Sequence, residues 1–205
     1  MTEISDNLDT LIDLALAEDV GPADFTTLWT VPEELSGEAR IVAKAAVVIS
    51  GVEAARRVFR AVDETIEVAV RRGEGECAAP GERVMELRGR LRSILTAERT
   101  ALNFLGRLSG TATLTAAYVD AVRGTGATVI DTRKTTPGFR LLEKAAVRAG
   151  GGANHRIGLH DMVMVKDNHI AAAGGVEAAL RAVSARNDLG LPVEVEVRTL
   201  EELDE

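Results

Sequence analysis

Apolar positions at Leu8, Leu11, Ile12, Leu14, Ala15 and Leu16 follow a helical period. They predict an amphipathic helix with Asp6 or Asn7 as its cap and Gly21-Pro22 as its end. From Ser36 to about Arg92 the period changes. ARIVAKAAVVIS, ending at Ser50, reads as strand, VEAARRVFRAV (Val52–Val62) as helix, and Ile66–Val70 and Val84–Leu87 as further strands. GEGECAAPGE between the last two reads as turns. This stretch is an antiparallel α+β layer. Thr96–Arg123 returns to helix, with Thr96 as a candidate cap, Ala101, Leu102, Leu105 and Leu108 on one face, and Gly110 marking a break or a close helix contact. The last third alternates. Thr128–Arg133, Met162–Lys166 and Val193–Val197 are strand-like, and Phe139–Arg148 and Gly175–Arg186 between them are helical. The strand ends lie 33 residues apart (Arg133 to Lys166) and 31 apart (Lys166 to Val197). That is about the size of one βαβ unit, roughly 30 residues, so this part reads as parallel βα repeats of a barrel or an open sheet. Leu200–Leu203 opens a helix that a further strand would follow, so the chain is read as a fragment.

Composition narrows the picture. Apolar residues make up 46% of the 205 and aromatics 3%, so the core is built from Ala, Val, Leu and Ile. The net charge of −8 argues against nucleic-acid and membrane partners, and no apolar run approaches the roughly 20 residues of a bilayer span. One cysteine, Cys77, gives neither a disulfide nor a zinc framework. With an acidic, amphipathic beginning unlike a signal peptide, this favours a cytoplasmic protein.

Charge is not spread evenly. Asp131–Ile170 carries seven Lys/Arg against four acids, which points to a focused anion site. Arg140, Lys144 and Arg148 fall at helical spacing and read as a solvated helix face. Arg133, Lys134, His155, Arg156 and Lys166 do not. Three successive strands end in polar groups: Arg133-Lys134, Lys166 and Glu196. In βα architectures the carboxyl ends of strands carry the chemistry. His160 and His169 lack metal-ligand spacing, Asn168-His169 reads as a cap of the strand-to-helix turn, and no metal ligand is assigned. Gly150-Gly151-Gly152 reads as a sharp turn presenting Asn154-His155-Arg156, since it lacks the Gly-Lys-Ser/Thr ending of a phosphate loop.

The segments LAEDVGPADFTT, LTAERTALNFLGRLSGTATLT, DTRKTTPGFRLLEKAAVRAGGGANHRIGLHDMVMVKDNHI and VEVEVRTLEEL, in this order, resemble the quinolinate phosphoribosyltransferase family. The resemblance implies an N-terminal α/β sandwich domain with its connecting helix over residues 1–110, then a partial α/β barrel over residues 111–205. It implies transfer of a phosphoribosyl group from phosphoribosyl pyrophosphate to quinolinate with loss of CO2, giving nicotinate mononucleotide and pyrophosphate in de novo NAD synthesis. Mg2+ is implied with the donor. A homodimer is implied, in which Arg99 reaches the neighbouring subunit's site. By resemblance Arg133, His155, Arg156 and Lys166 line the dicarboxylate site, Lys134 and Lys166 meet the pyrophosphate, Thr132 binds through its hydroxyl or backbone, and Glu196 accepts from the ribose hydroxyls. From the residues alone, Arg99 reads as a surface ion pair with Glu98 or a nearby acid, and Glu196 as a solvent-facing strand residue beside Glu194. The family's partner Asp for Glu196 and its glycine-rich phosphate loops are not in this sequence. Ala23-Asp24 stands where the family has Gly-Asp, and Met162 where it has a small residue. A paralogue on the same fold (molybdenum-locus or nicotinate-type) and a non-catalytic assembly fragment remain as other readings.

Overall fold

A computed structural model of the protein describes residues 2–205, with side chains from Asn7 onward. The fold is mixed α/β, and the chain divides into two units, 1–154 and 155–205.

In the first unit, α1 spans Thr2–Val20 and buries Leu8 and Ile12. The helix starts earlier than its apolar stripe, so Asn7 lies inside it and does not cap it. The side chain of Asp6 falls outside the described residues. A short helix missed by periodicity, α2 (Phe25–Thr30), follows, capped by Asp24, whose Oδ1 accepts from Thr27 N at 3.0 Å.

The strand-like run before Ser50 is two pieces, β1 (Ser36–Val42) and β2 (Val47–Val48). Helix α3 (Val52–Val62) then buries Val52, Ala54, Ala55, Val58 and Phe59. It begins at Gly51, with φ 92°, where a Cβ would sit 2.8 Å from Leu108 Cδ1. Its free N–H groups are met from a distance, since the carboxylate of Glu74 accepts from Gly51 N (2.9 Å) and Val52 N (2.8 Å). β3 is Glu67–Val70 and β5 is Arg83–Arg90. The stretch read as turns also holds a two-residue strand, β4 (Cys77–Ala78), antiparallel to β2. The main sheet is antiparallel in the order β1-β5-β3, with Ala39 opposite Leu87 and Leu87 opposite Val68 on the core side.

Helix α4 runs unbroken from Leu91 to Ala121, about 46 Å at 1.5 Å per residue. Ile94, Ala97, Ala101, Phe104, Leu105, Leu108 and Ala112 form its buried stripe. Two expectations fail here. Thr96 lies inside the helix, where its hydroxyl donates to Asp24 Oδ2 (3.1 Å). Gly110 neither breaks the helix nor permits a close contact, because a Cβ there would meet nothing within 4 Å. Hydroxyls on α4 act as strand partners. Ser109 Oγ accepts from Ser50 N (3.0 Å) and donates to Ser50 O (3.0 Å), and Thr113 Oγ1 accepts from Val48 N (2.9 Å). The helix therefore closes the end of the β layer.

After α4, the expected strand Thr128–Arg133 is reduced to a single parallel bridge, Ile130 with Ala153. Helix α5 (Arg140–Ala149) connects its two sides. The 33-residue spacing is therefore not one simple repeat, because it contains this extra pairing at Ala153. Phe139 stacks on Phe104 with centroids 5.4 Å apart. Of the three consecutive glycines, only Gly151 has positive φ (86°). The other two serve close packing: a Cβ on Gly150 would lie 2.3 Å from Ala112 O, and one on Gly152 2.8 Å from Val147 Cγ1.

The second unit is one right-sized βαβ element. β6 (Val163–Val165) pairs in parallel with β7 (Val193–Val195), Val163 opposite Val193. Between them run α6 (Asp167–Ala173), which periodicity missed, and α7 (Val176–Ser184). Val165, Ile170, Val176 and Ala179 form its core. Helix α8 (Leu200–Asp204) follows β7, with Thr199 Oγ1 accepting from Glu202 N (3.2 Å).

Candidate functional site

The eight residues singled out by sequence fall four in each unit. Arg99, Thr132, Arg133 and Lys134 belong to the first, and His155, Arg156, Lys166 and Glu196 to the second.

In the first unit the chain leaves the Ile130 bridge as an irregular loop. Thr132 and Lys134 are exposed on it, and Lys134 N donates to Thr132 Oγ1 at 3.0 Å. Arg140, from α5, steadies the loop by donating to Thr135 Oγ1 (3.1 Å) and to Arg133 O (3.4 Å). Arg140 is thus half-buried and committed to the loop. The Nε of Arg133 is buried with no hydrogen-bond partner, an unmet donor of the kind a carboxylate or phosphate satisfies. Beside the loop is a pocket of about 190 Å³, lined by Thr132, Lys134 and Thr135 together with Arg107, Thr111, Asp131, Glu143, Lys144 and Val147.

Sequence reasoning missed the polar groups on the pocket's inner wall. Glu143 is nearly buried and accepts from Arg107 Nη2 (2.8 Å), Thr136 Oγ1 (2.8 Å) and Thr136 N (3.1 Å). Burial works to raise its pKa, but the hydrogen bonds from Arg107 and Thr136 outweigh it and hold the carboxyl below its ordinary value. The solvated-face reading of Lys144 is wrong. Its side chain is 2% exposed and its Nζ lies 2.5 Å from Asp131 Oδ1. The available signal was its position among Leu141, Leu142, Ala145 and Ala146, facing an acid that follows an apolar run. Arg148 does lie exposed, donating to Asn154 Oδ1. Arg99 is exposed on α4, and the expected ion pair with Glu98 or a nearby acid does not form among the described residues.

In the second unit Lys166 and Glu196 directly follow the paired strands β6 and β7, and Lys166 Nζ lies 2.7 Å from Glu196 Oε1. The parallel register brings these two strand ends together. Lys166 N also donates to His169 Nδ1 (3.0 Å), so His169 caps α6, as its place after the strand suggested. His155 Nε2 lies 2.7 Å from Glu194 Oε2, with the imidazole largely covered. This gives Glu194 a partner that sequence reasoning did not foresee. Arg156 is 7% exposed and donates from Nη1 to Met162 O (3.3 Å). The intervening loop is pinned by Asp161, which accepts from Ile157 N (2.7 Å) and Gly158 N (2.9 Å); these backbone donors hold its carboxyl below the ordinary value.

A wider hollow, about 690 Å³, lies on the β1-β5-β3 sheet. It is lined by none of these residues. Glu86 on this sheet is paired by Arg71 (2.6 Å) and Arg83 (2.7 Å), so the wall is largely self-neutralised. In the first unit, by contrast, the loop beside the smaller pocket keeps one buried unmet donor, the Nε of Arg133.

Residues 24–109 match the family model for the quinolinate phosphoribosyl transferase N-terminal domain, and residues 111–205 match the one for its C-terminal domain. The chain belongs to the quinolinate phosphoribosyltransferase family. It is 45% identical over 201 residues to the chloroplastic nicotinate-nucleotide pyrophosphorylase [carboxylating] of Oryza sativa subsp. japonica, covering 96% of this chain and 54% of that one. It is 46% identical over 190 residues to the probable nicotinate-nucleotide pyrophosphorylase [carboxylating] of Synechocystis sp., covering 93% and 64%. Among solved structures, NadC from Streptococcus pyogenes superposes with a TM-score of 0.91 at 43% identity, covering 95% of this chain and 69% of that one. Nicotinate-nucleotide pyrophosphorylase from Francisella tularensis gives 0.91 at 40%, covering 97% and 70%. The chain thus spans about half the length of the curated relatives it matches first. Among the described residues no helix is long and apolar enough to cross a membrane.

Proposed function

We propose that this quinolinate phosphoribosyltransferase family member carries residues for the transfer of a phosphoribosyl group from phosphoribosyl pyrophosphate to quinolinate, with decarboxylation to nicotinate mononucleotide. The observation that carries the reading is the Lys166–Glu196 pair, 2.7 Å apart, directly after two parallel strands. A cation beside a carboxylate at such strand ends suits a polyhydroxyl substrate with anionic groups. Glu196 accepts from the ribose hydroxyls, while Lys166 and Lys134, compact point charges, face pyrophosphate oxygens. Arg133, His155 and Arg156 bind the two carboxylates of quinolinate, and the unpartnered Nε of Arg133 supports this. Thr132 adds its hydroxyl.

The ring nitrogen of quinolinate displaces pyrophosphate from the anomeric carbon, and the cations offset the charge gathering on the leaving group. The ring nitrogen, now bonded to ribose, is cationic. The bond to the 2-carboxylate then breaks, CO2 leaves, its electron pair stays on the ring carbon, and that carbon takes a proton from water. Orientation and electrostatics suffice, without a protein nucleophile. Mg2+ belongs to the same proposal: it would enter with the pyrophosphate and would supply charge neutralisation on the leaving group. Among the described residues no group of three or more His, Cys, Asp or Glu gathers to hold a metal.

Further parts of the proposal are a domain division at 110/111, a cytoplasmic location, and a homodimer in which Arg99 serves the neighbouring subunit. The exposed guanidinium of Arg99, without an ion pair among the described residues, supports the last. The test is phosphoribosyl-pyrophosphate-dependent release of CO2 from carboxyl-labelled quinolinate, by this chain and by a protein of the relatives' full length containing it. Lys134→Ala and Arg156→Ala should each cut turnover at least 100-fold. Equal rates in parent and variants would remove the site assignment.

A further inference from the structure

Among the described residues, the backbone around Ile130 is paired through a single bridge: Asp131 N donates to Ala153 O (3.1 Å) and Ala153 N to Val129 O (2.8 Å). One rung is a weak hold for a loop proposed to present Thr132, Arg133 and Lys134 to an anion. At the point where the ladder stops, a buried side-chain network continues it. Lys144 Nζ, on α5, lies 2.5 Å from Asp131 Oδ1, and the two side chains are 2% and 7% exposed. Asn154 Nδ2 donates to Asp131 Oδ2 (2.5 Å) and to Lys144 O (2.8 Å). Its Oδ1 accepts from Arg148 of the same helix. The residues after the bridge on both chain segments are therefore tied to each other and to α5. The pocket holding Thr132 and Lys134 has Asp131 and Lys144 in its wall.

An ion pair this deeply buried is poorly explained by stability, because desolvating both charges offsets most of their attraction, and an apolar pair of similar volume would do as well. What the pair supplies is direction. Asp131 is held by Lys144 on α5 and by Asn154, which orients the backbone entering the loop. Resting on the proposed function, we infer that Lys144, Asp131 and Asn154 form a positioning set that aims the Thr132–Lys134 loop at its anion, and that none of the three touches substrate.

The test separates aiming from stability. Lys144→Met alone leaves a buried carboxylate without its counter-charge and should melt well below the parent. The double variant Lys144→Met/Asp131→Asn is neutral and should recover most of the lost melting temperature. If the set aims the loop, amide hydrogen exchange at position 131 and at Ala153 in the double variant, each corrected for the intrinsic rate of its residue, stays at least tenfold faster than in the parent. Amides of α3 should be unchanged, and phosphoribosyl pyrophosphate titrated by calorimetry should bind at least tenfold more weakly. Parent-like exchange at position 131 and at Ala153 in the double variant overturns the inference, as does parent-like affinity. A parent chain that binds no phosphoribosyl pyrophosphate counts against the function, and the exchange comparison still decides the positioning role.

Discussion

Gly150→Ala tests whether the glycines before Ala153 exist for packing. Gly150 has φ −79° and ψ 3°, which alanine adopts without strain, so any cost comes from the added methyl. That methyl would lie 2.3 Å from Ala112 O and 2.7 Å from Thr115 Cβ, whereas ordinary contact begins near 3.4 Å. Relieving it requires α4 and the end of α5 to part by about 1 Å, backbone against backbone, in an interior that packs like a crystal. Overpacking of this kind costs about 1–3 kcal/mol, and the absence of a flexible side chain to yield puts it at about 3 kcal/mol. At roughly 2–4 °C per kcal/mol for a chain of this size, the melting temperature should fall by about 6–12 °C. Gly110→Ala is the control. It sits in the interior of α4 with nothing within 4 Å of its Cβ, so alanine should stabilise the protein by roughly 0.5–1 kcal/mol through helix propensity alone. Thermal unfolding followed by circular dichroism reads both. If Gly150→Ala melts at or above the parent, the close packing between α4 and α5 is not real, and the glycines need another explanation.

Glu143→Gln should cost about 1–2 kcal/mol at neutral pH by weakening charge-assisted bonds from Arg107 and Thr136. Because the folded carboxyl is held below its ordinary value, its contribution is complete above the unfolded value of about 4.3 and is lost as pH falls through the folded one. Urea melts from pH 7 downward should therefore show parent and variant converging in acid, and a gap that widens in acid would contradict the assignment. Lys166→Met and Glu196→Gln break a half-exposed pair, so each should change stability by no more than about 1 kcal/mol while lowering quinolinate decarboxylation at least 100-fold. A stability loss with turnover intact would make the pair structural.

What the sequence made legible follows from how much of each element's stability is local. β6, α7 and β7 are predicted close to their observed bounds because Val163, Val165, Val176, Ala179 and Val195 repeat with the period of their own element and face one small core. The Lys166–Glu196 pair could be anticipated for the same reason, since both residues simply end such strands. β4 and the pairing of Ala153 with Ile130 were not legible, because two residues or one carry no period; their positions are set by partners at Val47–Val48 and across α5. Gly110 misled because a glycine in a helix looks the same in sequence whether it serves a contact or none, and only the 4 Å of empty space around it decides.

Lys144 shows the limit most sharply. Helical spacing gives Arg140, Lys144 and Arg148 one reading, yet they face a loop, a buried acid and a half-buried asparagine respectively, and only the folded positions of Thr135, Asp131 and Asn154 make them differ. Periodicity assigns a residue to a face of its helix. It cannot tell whether solvent or a counter-ion from a distant segment covers that face, and for a lysine the two cases have opposite meanings: a side chain that adds solubility, or a charge whose burial needs a fixed partner. Sequence-level charge counting therefore finds a cation-rich region, while the division between cations left to solvent and cations that hold the loop depends on the fold.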